Sequence, residues 1–100
     1  MNEITSVQNP AAKRLRSLKE KKFREASGQM LVEGEKLLRE AVESGLGVHE
    51  VLIDREQAER FASLAEEMRR AGGQVFLAGT HVLEAVCDTK TPQGVCAAFD

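Results

Sequence analysis

The sequence predicts an α/β fold, with helices on both faces of a mainly parallel or mixed four-stranded sheet. Three observations lead there. Short apolar runs of four to six residues are bounded by glycine or acidic residues, as in Met30–Glu33 and Val95–Phe99, which is the signature of buried strands. Between them lie longer stretches whose apolar residues recur every three or four positions, the spacing of one helix face. With 100 residues, 42% of them hydrophobic, the chain can bury one core but cannot hold both a binding domain and a catalytic domain.

Each element follows from its local chemistry. Asn9-Pro10 opens a helix, since asparagine caps free amides and proline suits the first helical position. That helix is expected to run from Pro10 to about Ala26, with Ala11, Ala12, Leu15, Leu18, Phe23 and Ala26 inward and Lys13, Arg14, Arg16, Lys21 and Arg24 outward. Lys19 and Lys22 break the pattern and require either rim positions or a bend near Glu20. After Ser27-Gly28, Gln29–Glu33 reads as a buried strand. Glu35–Ser44 then reads as a helix with Leu37, Leu38, Ala41 and Val42 on one face, a Glu35–Arg39 pair at four-residue spacing, and Gly45 at its end. The next strand is Val48–Ile53. Asp54 is expected to cap a helix whose stripe is Ala58, Phe61, Ala62, Ala65 and Met68, closed by Gly72-Gly73. Gln74–Leu77 is the third strand, Thr80 caps a short helix carrying Val82, Leu83, Ala85 and Val86, and Val95–Phe99 is the last strand, placed at or near the sheet centre. That placement leads us to expect a polypeptide continuing past Asp100.

The net charge of −2 conceals a polarised chain. Residues 1–24 hold seven Lys or Arg against Glu3 and Glu20, whereas residues 25–100 hold seven against fourteen acids. A basic helical segment, 1–27, thus precedes an acidic α/β core, 28–100. A cationic helix face is the usual footprint of phosphate binding, so Lys13, Arg14, Arg16, Lys21 and Arg24 are candidate RNA contacts, with a solvated surface helix as the plainer alternative. The Val32-Glu33-Gly34-Glu35-Lys36 junction joins a strand to a helix start, where unpaired amides attract anions; a tight turn explains the same residues. Asp88–Gly94 is a polar loop in which Lys90, Thr91, Gln93 and Gly94 could touch sugar, phosphate or a base edge, or merely connect. Stacking platforms are scarce, with four Phe and no Tyr or Trp.

Catalysis has little to stand on here. Cys87 and Cys96 lack a histidine partner at a recognisable spacing, Glu66-Glu67 diverge on a helix, and His49 and His81 suit structural roles. No zinc spacing occurs, and the two cysteines, with no secretory signal and no apolar run long enough to span a bilayer, favour a reduced, cytoplasmic setting.

Taken in order, Ile4-Thr5-Ser6 with Asn9-Pro10, the basic helix ending Lys21-Lys22-Phe23-Arg24, Met30-Leu31-Val32-Glu33-Gly34, and Asp88-Thr89 with Thr91-Pro92-Gln93-Gly94 resemble the N-terminal substrate-binding domain of the SpoU family of RNA ribose methyltransferases. The resemblance implies a three-layer α/β/α sandwich similar to kink-turn-binding ribosomal proteins. It also implies a separate C-terminal knotted domain that binds S-adenosylmethionine and methylates a ribose 2′-hydroxyl, commonly as a homodimer. None of that domain's motifs occurs in these 100 residues, so no catalytic or cofactor residue is assigned to them. What the resemblance carries over is an RNA-facing edge at Glu33, Gly34 and Lys36 and at Lys90, Thr91, Gln93 and Gly94, with rRNA ahead of tRNA as partner. Two alternatives stand beside it: a free-standing ribosomal-type RNA-binding protein, and a protein-interaction or dimerisation domain in which the basic helix meets an acidic surface.

Overall fold

The computed structural model describes residues 2–87 and 92–100. Along the chain they form β1 (Asn2–Ile4), α1 (Pro10–Ser17), α2 (Lys21–Ser27), β2 (Met30–Glu33), α3 (Glu35–Glu43), β3 (Val48–Asp54), a short 3₁₀ turn (Arg55–Gln57), α4 (Ala62–Arg70), β4 (Gln74–Ala78), α5 (Thr80–Cys87) and β5 (Val95–Phe99). The strands make one mixed sheet in the order β1-β4-β3-β5-β2. β1, β4 and β3 run parallel, whereas β5 is antiparallel to both β3 and β2. The carboxyl ends of β1, β2, β3 and β4 therefore share one edge of the sheet with the start of β5.

Alternation of side chains across the strands makes two apolar layers. On one face, Leu52, Phe76, Ala78, Cys96 and Ala98 meet Ala12, Leu15 and Leu18 around α1 and Val82, Leu83, Val86 and Cys87 of α5. On the other, Val51, Ile53, Val75, Val95, Ala97 and Phe99 meet Leu38 and Ala41 of α3 together with Phe61, Leu64, Ala65 and Met68 around α4. A register irregularity between Val48 and Val51 lets both of these valines face the α3–α4 layer although they are three residues apart. The expected three-layer sandwich is present.

Several details depart from expectation. The sheet has five strands: β1 was not expected, because three residues with one buried side chain, Ile4, carry no readable alternation. The single helix predicted from Pro10 to Ala26 is two. Asn9 Oδ1 accepts from the Ala11 amide at 2.8 Å as expected, but α1 ends at Ser17, and Phe23 and Ala26 are exposed. β2 is an edge strand, so Met30 is 40% exposed and the strand is not buried. Leu37 turns outward at 53% exposure, while Leu38 and Ala41 hold the core side of α3. Asp54 does cap, accepting from the Glu56 amide at 3.0 Å, but it caps the 3₁₀ turn. α4 starts only at Ala62, which is exposed, and Leu64 takes the inward place. Finally, the Gly79 carbonyl accepts the first bonds of α5 from Val82 and Leu83, so Thr80 begins that helix and does not cap it.

Candidate nucleic-acid interface

Two glycines and two glutamines organise the shared strand edge. Gly34 follows β2 with φ +94°, a conformation side chains rarely adopt, and a β-carbon there would collide with the side-chain amide of Gln93. Gly94, at φ +92°, is covered in the same way by Gln57, whose Nε2 would lie 2.5 Å from an added β-carbon. Backbone bonds fix both: the Gly34 amide donates to Val95 O at 3.0 Å, and the Asp54 amide donates to Gly94 O at 2.8 Å. Glu35, Lys36, Gln57, Arg60, Phe61, Pro92 and Gln93 line a depression of about 460 Å³ at this place. Arg60 donates to Gln57 Oε1 at 3.2 Å, and its guanidinium lies 4.9 Å from the Phe61 ring centroid. Glu35 pairs with Arg39 at 3.0 Å, a guanidinium that it shares with Glu67. Lys36 stands exposed on the first turn of α3, whose cap, Gly34, has no side chain to engage the helix amides. Cations, side-chain amides and a helix start thus converge on one concave surface, the chemistry that binds phosphate and sugar.

Glu33 is half-buried at the end of β2, and Gly34, Lys36, Gln93 and Gly94 are brought together although some sixty residues separate the two windows. Lys90 and Thr91 lie outside the described residues. Gln57 and Arg60 complete the edge, and the sequence reading missed them. The available signal was Asp54, an expected cap directly after a strand, which marks its followers as edge residues. Asp54 is buried and also accepts from the Thr80 hydroxyl at 3.0 and 2.9 Å, tying the turn after β3 to the start of α5.

The basic segment is elsewhere. α2 borders the start of β2 and the end of β5, where Lys21, Arg24, Glu25, Gly28, Gln29, Met30 and Asp100 share a groove. It thus lies across the sheet from Lys36 and Gln93, separated by a five-residue strand, about 17 Å of rise. Arg14 and Arg24, two of the expected cations, hold elements of the fold together. Arg14 makes a two-pronged ion pair with Glu50 on β3, one bond being 2.7 Å long, and this raises the guanidinium pKa and lowers that of Glu50. Arg24 donates to the carbonyls of Leu18 at 3.0 Å and Lys19 at 2.7 Å, folding α2 back on the end of α1. Lys13 and Arg16 are exposed around a second depression with Ser17, Lys19 and Glu20. Lys21 is exposed and 3.8 Å from Glu25.

The sequence profile of the MRM3-like substrate binding domain matches residues 9–97, which include both windows of the edge and the cations of the basic segment. The chain belongs to this family. Among curated proteins, an uncharacterised tRNA/rRNA methyltransferase of Synechocystis sp. is 35% identical over 96% of this chain and 35% of its own length. The 23S rRNA guanosine 2′-O-methyltransferase RlmP of Bacillus subtilis is 34% identical over 97% of this chain and 37% of its own. Crystal structures of an rRNA methyltransferase from Sinorhizobium meliloti and of its AdoMet-bound form are each 28% identical to this chain, with TM-scores of 0.81 and 0.80, over 99% of this chain and 36% of theirs. The chain therefore spans about a third of the length of the relatives it matches. The substrate-binding domain shares its SpoU-class affiliation with these methyltransferases, as its motifs suggested.

The remaining reactive side chains of the substrate-binding domain have structural surroundings. His81 Nε2 donates to Thr5 O at 2.9 Å, and His49 Nε2 lies 2.8 Å from Asp100 Oδ1. Cys87 and Cys96 are free thiols buried in the α1–α5 layer. Among the described residues no helix is long and apolar enough to cross a membrane.

Proposed function

We propose that this substrate-binding domain recognises structured RNA, rRNA ahead of tRNA, for an S-adenosylmethionine-dependent 2′-O-ribose methyltransferase whose chemistry resides on a separate C-terminal domain. The parent enzyme, in this proposal, works in the cytoplasm as a homodimer. The observation that carries the RNA assignment is the convergence of Lys36, Arg60, Gln57, Gln93 and the start of α3 around Gly34 and Gly94 at a single strand edge. Two cations supply phosphate attraction, while glutamine amides, which donate and accept, suit base edges and ribose hydroxyls. Lys90 and Thr91 belong to the same proposed surface by sequence. Lys13, Arg16 and Lys21 add longer-range attraction, whereas Arg14 and Arg24 act mainly by shaping the basic segment.

The test is an anisotropy titration of the 100-residue chain with a structured rRNA hairpin across a salt series. We expect salt-sensitive binding, with Lys36→Ala and Arg60→Ala each weakening it and lowering the slope of log K against log salt by about 1. Hairpin binding that both substitutions leave unchanged would remove the edge assignment. Absence of hairpin binding at low salt, accompanied by salt-dependent self-association in sedimentation, would favour an interaction domain.

A further inference from the structure

α2 differs from the other helices of the fold in burying none of its residues. Its geometry is nevertheless fixed. Gly28 ends it at φ +71° with its amide donating to Arg24 O at 2.8 Å, and Arg24 reaches back to two carbonyls at the end of α1. The chain thus spends an arginine on holding a helix that adds nothing to the core. On that helix sits Phe23, 41% exposed. The other three phenylalanines are buried, and the chain has no Tyr or Trp, so Phe23 is its one solvent-facing aromatic ring of this kind. Lys22 Nζ lies 5.0 Å from the ring centroid, and exposed Lys13, Arg16 and Lys21 are carried by the same elbow.

Cations alone do not distinguish paired from unpaired nucleic acid, because both present phosphates. An exposed aromatic does. A duplex keeps its bases stacked inside, whereas an unpaired segment can lay a base on a ring while its backbone follows the charges. Charge complementarity and the exposed ring therefore select the same occupant. We propose that the α1–α2 elbow is a second RNA-contact surface, distinct from the strand edge, which takes an unpaired RNA segment with a base stacked on Phe23 and phosphates on Lys13, Arg16, Lys21 and Lys22. The proposal rests on the domain being an RNA binder. It deepens that reading by requiring substrates in which a structured element is flanked by unpaired nucleotides, with the domain gripping both from opposite ends of its sheet.

The experiment compares a blunt hairpin with the same hairpin carrying an unpaired extension of about ten nucleotides, within the span such surfaces cover, titrated with the 100-residue chain. The extension is expected to tighten binding. Phe23→Ala should abolish most of that gain, roughly 5- to 150-fold for a stacked base, while leaving blunt-hairpin affinity unchanged. Lys36→Ala should weaken both probes by the same factor. Because Phe23 is exposed on a helix with no buried residue, Phe23→Ala leaves the core intact, and Phe23→Tyr should retain the gain. An extension that adds nothing, or a gain that Phe23→Ala preserves while Lys36→Ala still weakens the hairpin, overturns the elbow proposal alone. Failure of every probe to bind overturns the RNA reading beneath it, and with it the elbow proposal.

Discussion

Gly34 shows how one residue can couple fold and recognition. Its φ and ψ of +94° and 144° lie where glycine is nearly alone, and its missing side chain is the space that Gln93 occupies. Gly34→Ala should therefore cost about 1–3 kcal/mol from backbone strain, with a further loss from displacing Gln93, read as a lower urea midpoint at unchanged slope. It should also weaken hairpin binding, since Gln93 would be pushed out of the depression it lines. The two causes separate in a double-mutant cycle. Gln93→Ala restores the space but not the dihedral, so the double variant should recover only part of the stability. Full recovery would mean that the backbone conformation costs nothing there, and no recovery would mean that the two residues are not coupled.

At the scale of elements, the interior was the legible part. β3, β4, β5, α3 and α5 lie close to where their apolar periodicity placed them, because their patterns are imposed by burial. Most departures occur where burial stops deciding, at β1 and β2 on the sheet edges and α2 beyond the core; the other is the start of α4, where a 3₁₀ turn replaces the expected first turns. The misfits at Lys19 and Lys22 admitted a bend near Glu20, and the helix does break at Leu18–Glu20; what periodicity does not show is what fixes the elbow, because Arg24 bonding to backbone carbonyls carries no hydrophobic signal. The same limit applies to the site. Gly34 and Gln93 were each readable as local turn chemistry, but Gln57 and Arg60 join them only through the tertiary placement of the turn after β3. The Arg14–Glu50 pair likewise looked like part of a solvated basic face, yet it ties α1 to the start of β3. Hydrogen bonding to Arg14 is the main cause that holds Glu50 below its ordinary value of 4.5. A carboxylate depressed in the folded state adds stability above its unfolded pKa and loses it as pH falls through the folded one. Glu50→Gln should thus be less stable than the parent at pH 7, by about 1 kcal/mol at most for a partly exposed pair. The difference should shrink once pH drops below 4.5 toward the folded pKa. Urea midpoints measured from pH 7 downward check this, and a gap that stays constant with pH would show that the Glu50 charge is not what matters.

For the whole molecule, the sheet acts as a rigid spacer. It holds the Lys36–Gln93 edge and the Lys13–Phe23 elbow at opposite ends, and it can do so only if both helical layers hold together with it. β5 is the element that links them: Val95, Ala97 and Phe99 enter the α3–α4 layer, Cys96 and Ala98 enter the α1–α5 layer, and all five are buried. Neither layer can be lost without exposing the other through this strand, so the domain should unfold in one cooperative step. Leu15→Ala on one face and Leu64→Ala on the other should each cost about 2–5 kcal/mol and lower a single midpoint. Cys96 reports that step from inside. The adjacent Cys87 thiol and burial hold its own thiol well above the usual range, so in the folded chain it is the unreactive protonated form. Its alkylation at pH 8 should therefore follow the same urea curve as helical circular dichroism in the parent and in both variants. If Cys96 became reactive before the helical signal fell, or if Leu15→Ala moved one transition and Leu64→Ala another, the two layers would be separate units. The fixed spacing between the two proposed RNA-contact surfaces would then have no structural basis.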